Sequence, residues 1–190
     1  MPSESYEIVP SFIDGKWMSI KKEKHTNVYN PATGKIISKT PMCGDEELDK
    51  AVEAAEKAFI SWSTLPSNNR AQILFSYRAL LKENLDEIAE IISTENGKTL
   101  SEAKGDIQRG FEVVEFACGI SQLSKGESLA EVAPNIDATT IREPLGVCAG
   151  ISPFNFPAMV PMWMFPLAIA CGNTFILKPS EKVPLTAVTS

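Results

Sequence analysis

The chain has 190 residues, 44% of them hydrophobic, and a formal charge of −6, which provides for one sizeable core. Its charges are mixed, with no basic stripe, which argues against nucleic acid as a partner, and no apolar stretch runs unbroken for the length of a membrane span. Residues 1–11 have neither an apolar core nor an arginine, so a secretory or mitochondrial targeting peptide has no support there. The four scattered cysteines lack CxxC spacing, which fits small apolar residues in a reducing cytoplasm and no metal site. Cys148 and Cys171 lie inside apolar runs, where burial would leave their thiols inert. The single histidine, His25, sits among lysines and reads as solvated, leaving no Cys–His or Ser–His pair.

In chain order, Asp14-Gly15 between apolar positions is a hairpin signal. Asn30-Pro31-Ala32-Thr33-Gly34 is a second turn, and Lys35–Lys39, with Ile36 and Ile37, a short strand. Asp45 reads as a helix cap with Glu46 and Glu47 in the first turn, where the helix dipole favours negative charge. Leu48, Val52, Ala55 and Phe59, three or four apart, predict one buried face. After a break at Pro66-Ser67, the spacing of Ile73, Leu74, Tyr77, Leu80, Leu81, Leu85, Ile88 and Ile92 predicts one long helix from Ala71 to Ile92, stopped by Gly97. Thr99 or Ser101 caps the next, with Phe111, Val113, Val114, Phe116 and Ile120 as its apolar set. Charges on these helices read as solvated faces. Leu129–Ile141 favours extended chain, with a turn at Pro134-Asn135.

Residues 144–182 organise the rest. Leu145–Ile151 is an apolar run; a turn with Pro153, Asn155 and Pro157 follows. Ala158–Cys171 is nearly all apolar and long enough for a helix closed by Gly172-Asn173. Thr174–Leu177 is a second apolar run, ending at Lys178-Pro179. Strand, turn, helix and strand, apolar all round, predict an α/β domain with a parallel sheet covered on both sides. Ligands collect at the carboxyl ends of such strands. Two polar clusters stand there: Ser152 to Asn155, and Lys178 to Lys182. The amide of Asn155 offers two uncharged N–H donors, suited to a developing oxyanion or, equally, to bonding a local turn. A carboxylate such as that of Glu181 accepts from both hydroxyls of a ribose and repels a 2′-phosphate, favouring NAD over NADP. Ser180 fits the N-cap of a helix that Pro184 helps open, with Glu181 in its first turn. Phe154 and Phe156 suit either a flat ligand wall or core packing, and a lone Arg109 on a helix suits the surface. No GxGxxG fingerprint occurs.

The segment PFNFP (Pro153–Pro157), followed by GNTFILKPSE (Gly172–Glu181), resembles the cofactor-binding half of the aldehyde dehydrogenase superfamily. The stretches ENGKTLSEAKGDIQRGFEVVEFACG and KPSEKVPLTA narrow the resemblance to the coenzyme A-acylating, methylmalonate-semialdehyde branch. It runs from Phe12 onward and covers less than half of a family member. It implies a Rossmann-type parallel sheet with helices on both faces. Residues 1–125 and 142–190 would belong to the NAD-binding domain, and 126–141 to a β-hairpin arm of the oligomerisation region. The catalytic domain, with the nucleophilic cysteine, is expected beyond Ser190, so the isolated chain is expected to be inactive.

The resemblance further implies Asn155 as oxyanion donor. It implies NAD contacts from Ile151, Ser152, Pro153, Phe154, Lys178, Ser180, Glu181 and Lys182. Arg109 would bind the substrate carboxylate, a planar fork for a planar anion, and Phe156 would line the aldehyde pocket. NAD is the implied cofactor and coenzyme A the co-substrate. The implied partners are a small carboxylated aldehyde and further copies of the chain, as a dimer or tetramer. A hydrolytic semialdehyde dehydrogenase and a non-catalytic nucleotide-binding fragment are the alternatives. Two positions depart from the family pattern: Ser152 stands where many members have Ala, and Lys182 where close relatives have Arg, which stacks and forks as Lys does not.

Overall fold

A computed structural model of the protein describes residues 7–20 and 24–189. Residues 1–6, part of the stretch searched for a targeting signal, lie outside them, as does Ser190. Asp14 and Gly15 take positive φ values of 52° and 70° and join β1 (Ser11–Ile13) to β2 (Lys16–Met18) in a tight hairpin. β3 (His25–Tyr29) pairs antiparallel with β4 (Ile36–Pro41) across the Asn30–Gly34 turn, where Asn30 Oδ1 accepts from Ala32 N at 2.9 Å. The sequence pattern gives no sign of β3, because its only aliphatic residue is Val28, which is fully buried.

Helix α1 (Asp45–Trp62) is capped at Gly44 rather than Asp45; Glu47 Oε2 accepts from Gly44 N at 2.8 Å, and Asp45 lies in the first turn. The face of Leu48, Val52, Ala55 and Phe59 is only partly covered, Leu48 being 54% exposed. The single helix expected over residues 71–92 is two, α2 (Ser67–Glu83) and α3 (Leu85–Asn96). They part at Asn84, whose φ of −100° and ψ of 13° leave the helical region and whose Nδ2 donates to Leu80 O at 2.8 Å. The apolar spacing runs through the break, so periodicity conceals it. Gly97 ends α3 in the left-handed region, φ 84°. Thr99 caps α4 (Leu100–Cys118): Thr99 Oγ1 accepts from Glu102 N at 3.3 Å, and Glu102 Oε2 accepts from Thr99 N at 3.0 Å. A short α5 (Ile120–Leu123) follows. Phe116 does not join the expected apolar set; it is 56% exposed.

The hairpin of β5 (Ser128–Ala133) and β6 (Ile136–Thr139) turns at Asn135, φ 61°. Then come β7 (Val147–Ile151), α6 (Met159–Ala170), β8 (Thr174–Lys178) and α7 (Leu185–Thr189). β7 and β8 pair parallel, and both α1 and α6 pack on them, which gives the expected α/β build. Leu81, Ile88, Ile92, Ile107, Val114 and Met162 form the main core between α2, α3, α4 and α6. α4 and α6 approach so closely at Gly110 that a Cβ there would lie 2.4 Å from Met162 Cε. Among the described residues, no helix is long and apolar enough to cross a membrane.

The solvated-face expectation fails at three charges: Arg70 (8% exposed), Glu95 (3%) and Asp106 (1%). Arg70 donates from Nε to Ala170 O at 2.9 Å, closing the C-terminus of α6. The cysteines also divide differently. Cys118 is buried, and desolvation pushes its thiol up; Cys148 is half-buried, and Cys171, in the turn after α6, is exposed.

Candidate cofactor and aldehyde site

The parallel ladder sets the two strand ends side by side. Ile151 is the register partner of Lys178, and Ser152 N donates to Lys178 O at 3.1 Å, extending the ladder by one bond. The two polar clusters therefore leave the sheet together at its carboxyl edge. Ser152 is buried, while Ile151 is 77% exposed at the lip. Beyond them, Lys182 Nζ stands 4.7 Å over the ring of Phe154, joining the clusters by a cation–π contact. Phe154, Glu181 and Lys182 line one groove of about 520 Å³ with Asn27, Tyr29 and Asn96. Pro153 and Asn155 are exposed beside it. The amide of Asn155 bonds no other described residue.

The second cluster has its own order. Lys178 Nζ donates to Glu181 Oε2 at 3.2 Å. The Glu181 carboxyl is held below the ordinary carboxylate value, first by its own backbone N–H and then by Lys178. Thr40 Oγ1 donates to Glu181 O at 2.9 Å, tying this turn to β4. Ser180 does not cap α7. Its Oγ accepts from Lys182 N at 3.3 Å, and residues 181–183 form a turn before the helix begins at Leu185. The cap comes from α3 instead: Glu95 Oε2 accepts from Leu185 N at 2.8 Å, and Glu95 Oε1 from Thr186 N at 2.8 Å and from the Thr186 hydroxyl. Burial raises the Glu95 carboxyl above its ordinary value, opposed by these bonds.

The Asn155 turn is held by residues outside both polar clusters. Asn96 Nδ2 donates to Phe154 O at 2.7 Å. Lys98 Nζ lies 4.1 Å over the Phe156 ring and donates to Asp106 Oδ2 at 2.6 Å. Asp106 Oδ1 accepts from Met159 N, the first residue of α6, at 2.8 Å. One signal for the buried acids was present in the sequence. Asp106 shares the spacing of Ala103, Gly110 and Val114, and Glu95 that of Ile88 and Ile92, so each charge falls on an apolar helical face. Arg109 lies three residues from Asp106 on α4, exposed, and bonds no other described residue.

A parallel βαβ unit with its polar residues gathered at the carboxyl strand ends is the build of an α/β domain, a class that takes its ligands at that edge. The chain belongs to the aldehyde dehydrogenase family, which matches residues 17–190. It is 49% identical over 187 residues to a malonate-semialdehyde dehydrogenase of Bacillus pumilus (strain SAFR-032), covering 98% of this chain and 38% of that protein. It is 48% identical over 182 residues to the acylating, mitochondrial methylmalonate-semialdehyde/malonate-semialdehyde dehydrogenase of Mus musculus, 96% of this chain and 34% of that one. Among solved structures it resembles a putative methylmalonate-semialdehyde dehydrogenase of Sinorhizobium meliloti 1021 complexed with NAD, with TM-score 0.94 and 44% identity over 98% of this chain and 38% of the other. The chain thus spans well under half the length of the curated relatives it matches.

Proposed function

We propose that this chain is the N-terminal, cofactor-binding part of an NAD-dependent, coenzyme A-acylating malonate- or methylmalonate-semialdehyde dehydrogenase. The observation that carries the reading is the meeting of the β7 and β8 ends. Ile151 pairs with Lys178, and Phe154 and Glu181 face one groove. The residues present fit NAD: a half-exposed carboxylate at Glu181 beside the ammonium of Lys178 suits a ribose diol, and a half-exposed ring at Phe154 offers a flat wall. Ile151, Ser152 and Pro153 would contact the nicotinamide side, and Lys178, Ser180, Glu181 and Lys182 the adenosine side. When bound, NAD supplies the hydride acceptor.

The chain's own residues act around that acceptor. Asn155 donates an N–H to the aldehyde oxygen as a cysteine thiolate, supplied from outside this chain by the family pattern, attacks the carbonyl carbon. The exposed Arg109 pairs with the carboxylate of the semialdehyde, and Phe156 borders the aldehyde pocket. Loss of a hydride from the thiohemiacetal so formed would leave a thioester, whose acyl group passes to the coenzyme A thiol with release of the cysteine thiolate, and with loss of carbon dioxide in the methylmalonate case. Four unpaired cysteines, two of them exposed, suit a reducing, cytoplasmic location. Residues 126–141 serve as an arm between copies in a dimer or tetramer.

The test uses a full-length chimera in which residues 1–190 replace the corresponding part of the Bacillus pumilus relative. NADH formation from malonate semialdehyde should require coenzyme A. Equal rates with water as the only acceptor would move the enzyme to the hydrolytic class. NADH formation by the isolated chain would show that the nucleophile has been misplaced.

A further inference from the structure

We infer that Asp106 is a positioning residue for the Asn155 amide, acting through Lys98 and the start of α6; this rests on the oxyanion reading of Asn155. The turn that carries Asn155 cannot hold itself. Pro153 and Pro157 bring no N–H, so few local backbone bonds are open to it. Its anchors come instead from the last residue of α3 and the link that leads to α4. Asn96 holds the carbonyl of residue 154 at 2.7 Å, and Lys98 covers the ring of residue 156 at 4.1 Å, so the residues on either side of Asn155 are each fixed from the same segment.

Asp106 joins these anchors to the helix behind the turn. One carboxylate oxygen holds Lys98 Nζ at 2.6 Å, the other Met159 N at 2.8 Å, and the residue is 1% exposed. A wholly buried carboxylate that uses both oxygens on charge-assisted or helix-end donors has little freedom to move. Gly110, one turn further along α4, lets Met162 pack directly against it and fixes the distance at which Asp106 meets α6. The result is a rigid frame whose free group is the amide of Asn155. A transition-state donor needs that arrangement, since it must be set to within about half an ångström before the charge develops.

The experiment is a double-mutant cycle in the chimera, with Asp106→Asn, Asn155→Ala and the pair. Asparagine keeps the shape and an acceptor for Met159 N but leaves Lys98 without its anion. Asp106→Asn should lower kcat on the order of tenfold with KM for NAD within about twofold, and should change nothing further in the Asn155→Ala background. Adding Lys98→Met to Asp106→Asn removes the orphaned cation; it should restore the melting temperature and not kcat. Equal factors in both backgrounds, an unchanged kcat, or recovery of kcat together with stability would each overturn the inference. A normal kcat in Asn155→Ala would instead overturn the oxyanion reading beneath it. If Asp106→Asn fails to fold, Asn96→Ala takes its place, since Asn96 is not buried and holds the same turn; the same background-dependent loss supports the inference, and no loss in kcat overturns it.

Discussion

Asn155 and Asp106 show how differently a polar side chain enters a site. Asn155 stands in a proline-rich turn at a strand end, where an amide has an evident use, and the motif around it marks it in the sequence. Asp106 lies in the middle of an amphipathic helix, where an acid reads as solvent-facing, yet it is buried and bonded at both oxygens. Only its helical phase, shared with Ala103 and Gly110, sets it apart. Arg109, three residues on, is exposed and bonds no other described residue. In the chimera, Arg109→Leu should raise KM for malonate semialdehyde by roughly tenfold or more, the scale of a lost charge-assisted bond, and leave KM for an uncharged aldehyde of the same length nearly unchanged. Steady-state kinetics on both substrates decide it; an equal rise for both removes the carboxylate assignment.

At the scale of elements, ends and close approaches matter most. Glu102 closes the start of α4, and its carboxyl is held below the ordinary value by the backbone N–H of Thr99 first and the Thr99 hydroxyl second. A lowered folded value means the stabilisation is complete above the ordinary unfolded value near 4.5 and is lost as pH falls through the lower, folded one. Glu102→Ala should therefore melt lower than the parent chain at neutral pH, with the gap closing in acid below that value; calorimetry over a pH series checks it. At the α4–α6 contact, Gly110→Ala would set its Cβ 3.0 Å from Met162 Cβ and Sδ as well as against the movable Cε. Forcing the helices apart should cost about 1–3 kcal/mol of stability, measured by denaturant unfolding. These elements were legible to different degrees. Caps at Thr99 and Gly97 announce themselves by residue type. The break at Asn84 does not, because Leu81, Leu85 and Ile88 keep helical spacing across it, and the end of α2 is decided by a local side-chain bond to Leu80 O.

Across the whole molecule, exposed apolar residues are scattered, and four of them gather at one hairpin. Leu129, Val132, Ile136 and Ile141 are all about half exposed or more, on the hairpin of β5 and β6 or just beyond it, which buries no core of its own. A ribbon two strands wide is marginal by itself, and an exposed apolar face of this kind suits a partner surface. Replacing Leu129 and Ile136 with Asp in the chimera should shift the assembly to smaller species in light scattering while leaving NAD affinity unchanged. An unaltered mass would remove the arm from the oligomer interface.

The sequence by itself determined the α/β class, the strand–helix–strand unit, the two polar strand ends and the family, because each is written in local pattern: apolar runs of set length, turn residues at their boundaries, and one long motif. Tertiary structure alone decided that Glu95 of α3 caps α7 in place of Ser180, that Asp106 and Lys98 brace the Asn155 turn, and that the two clusters meet through Phe154 and Lys182. Those contacts join residues from about 30 to 90 positions apart or depend on which face of a helix is covered. A charged side chain carries no local mark of the partner that burial will give it; the partner is fixed only when the helices pack.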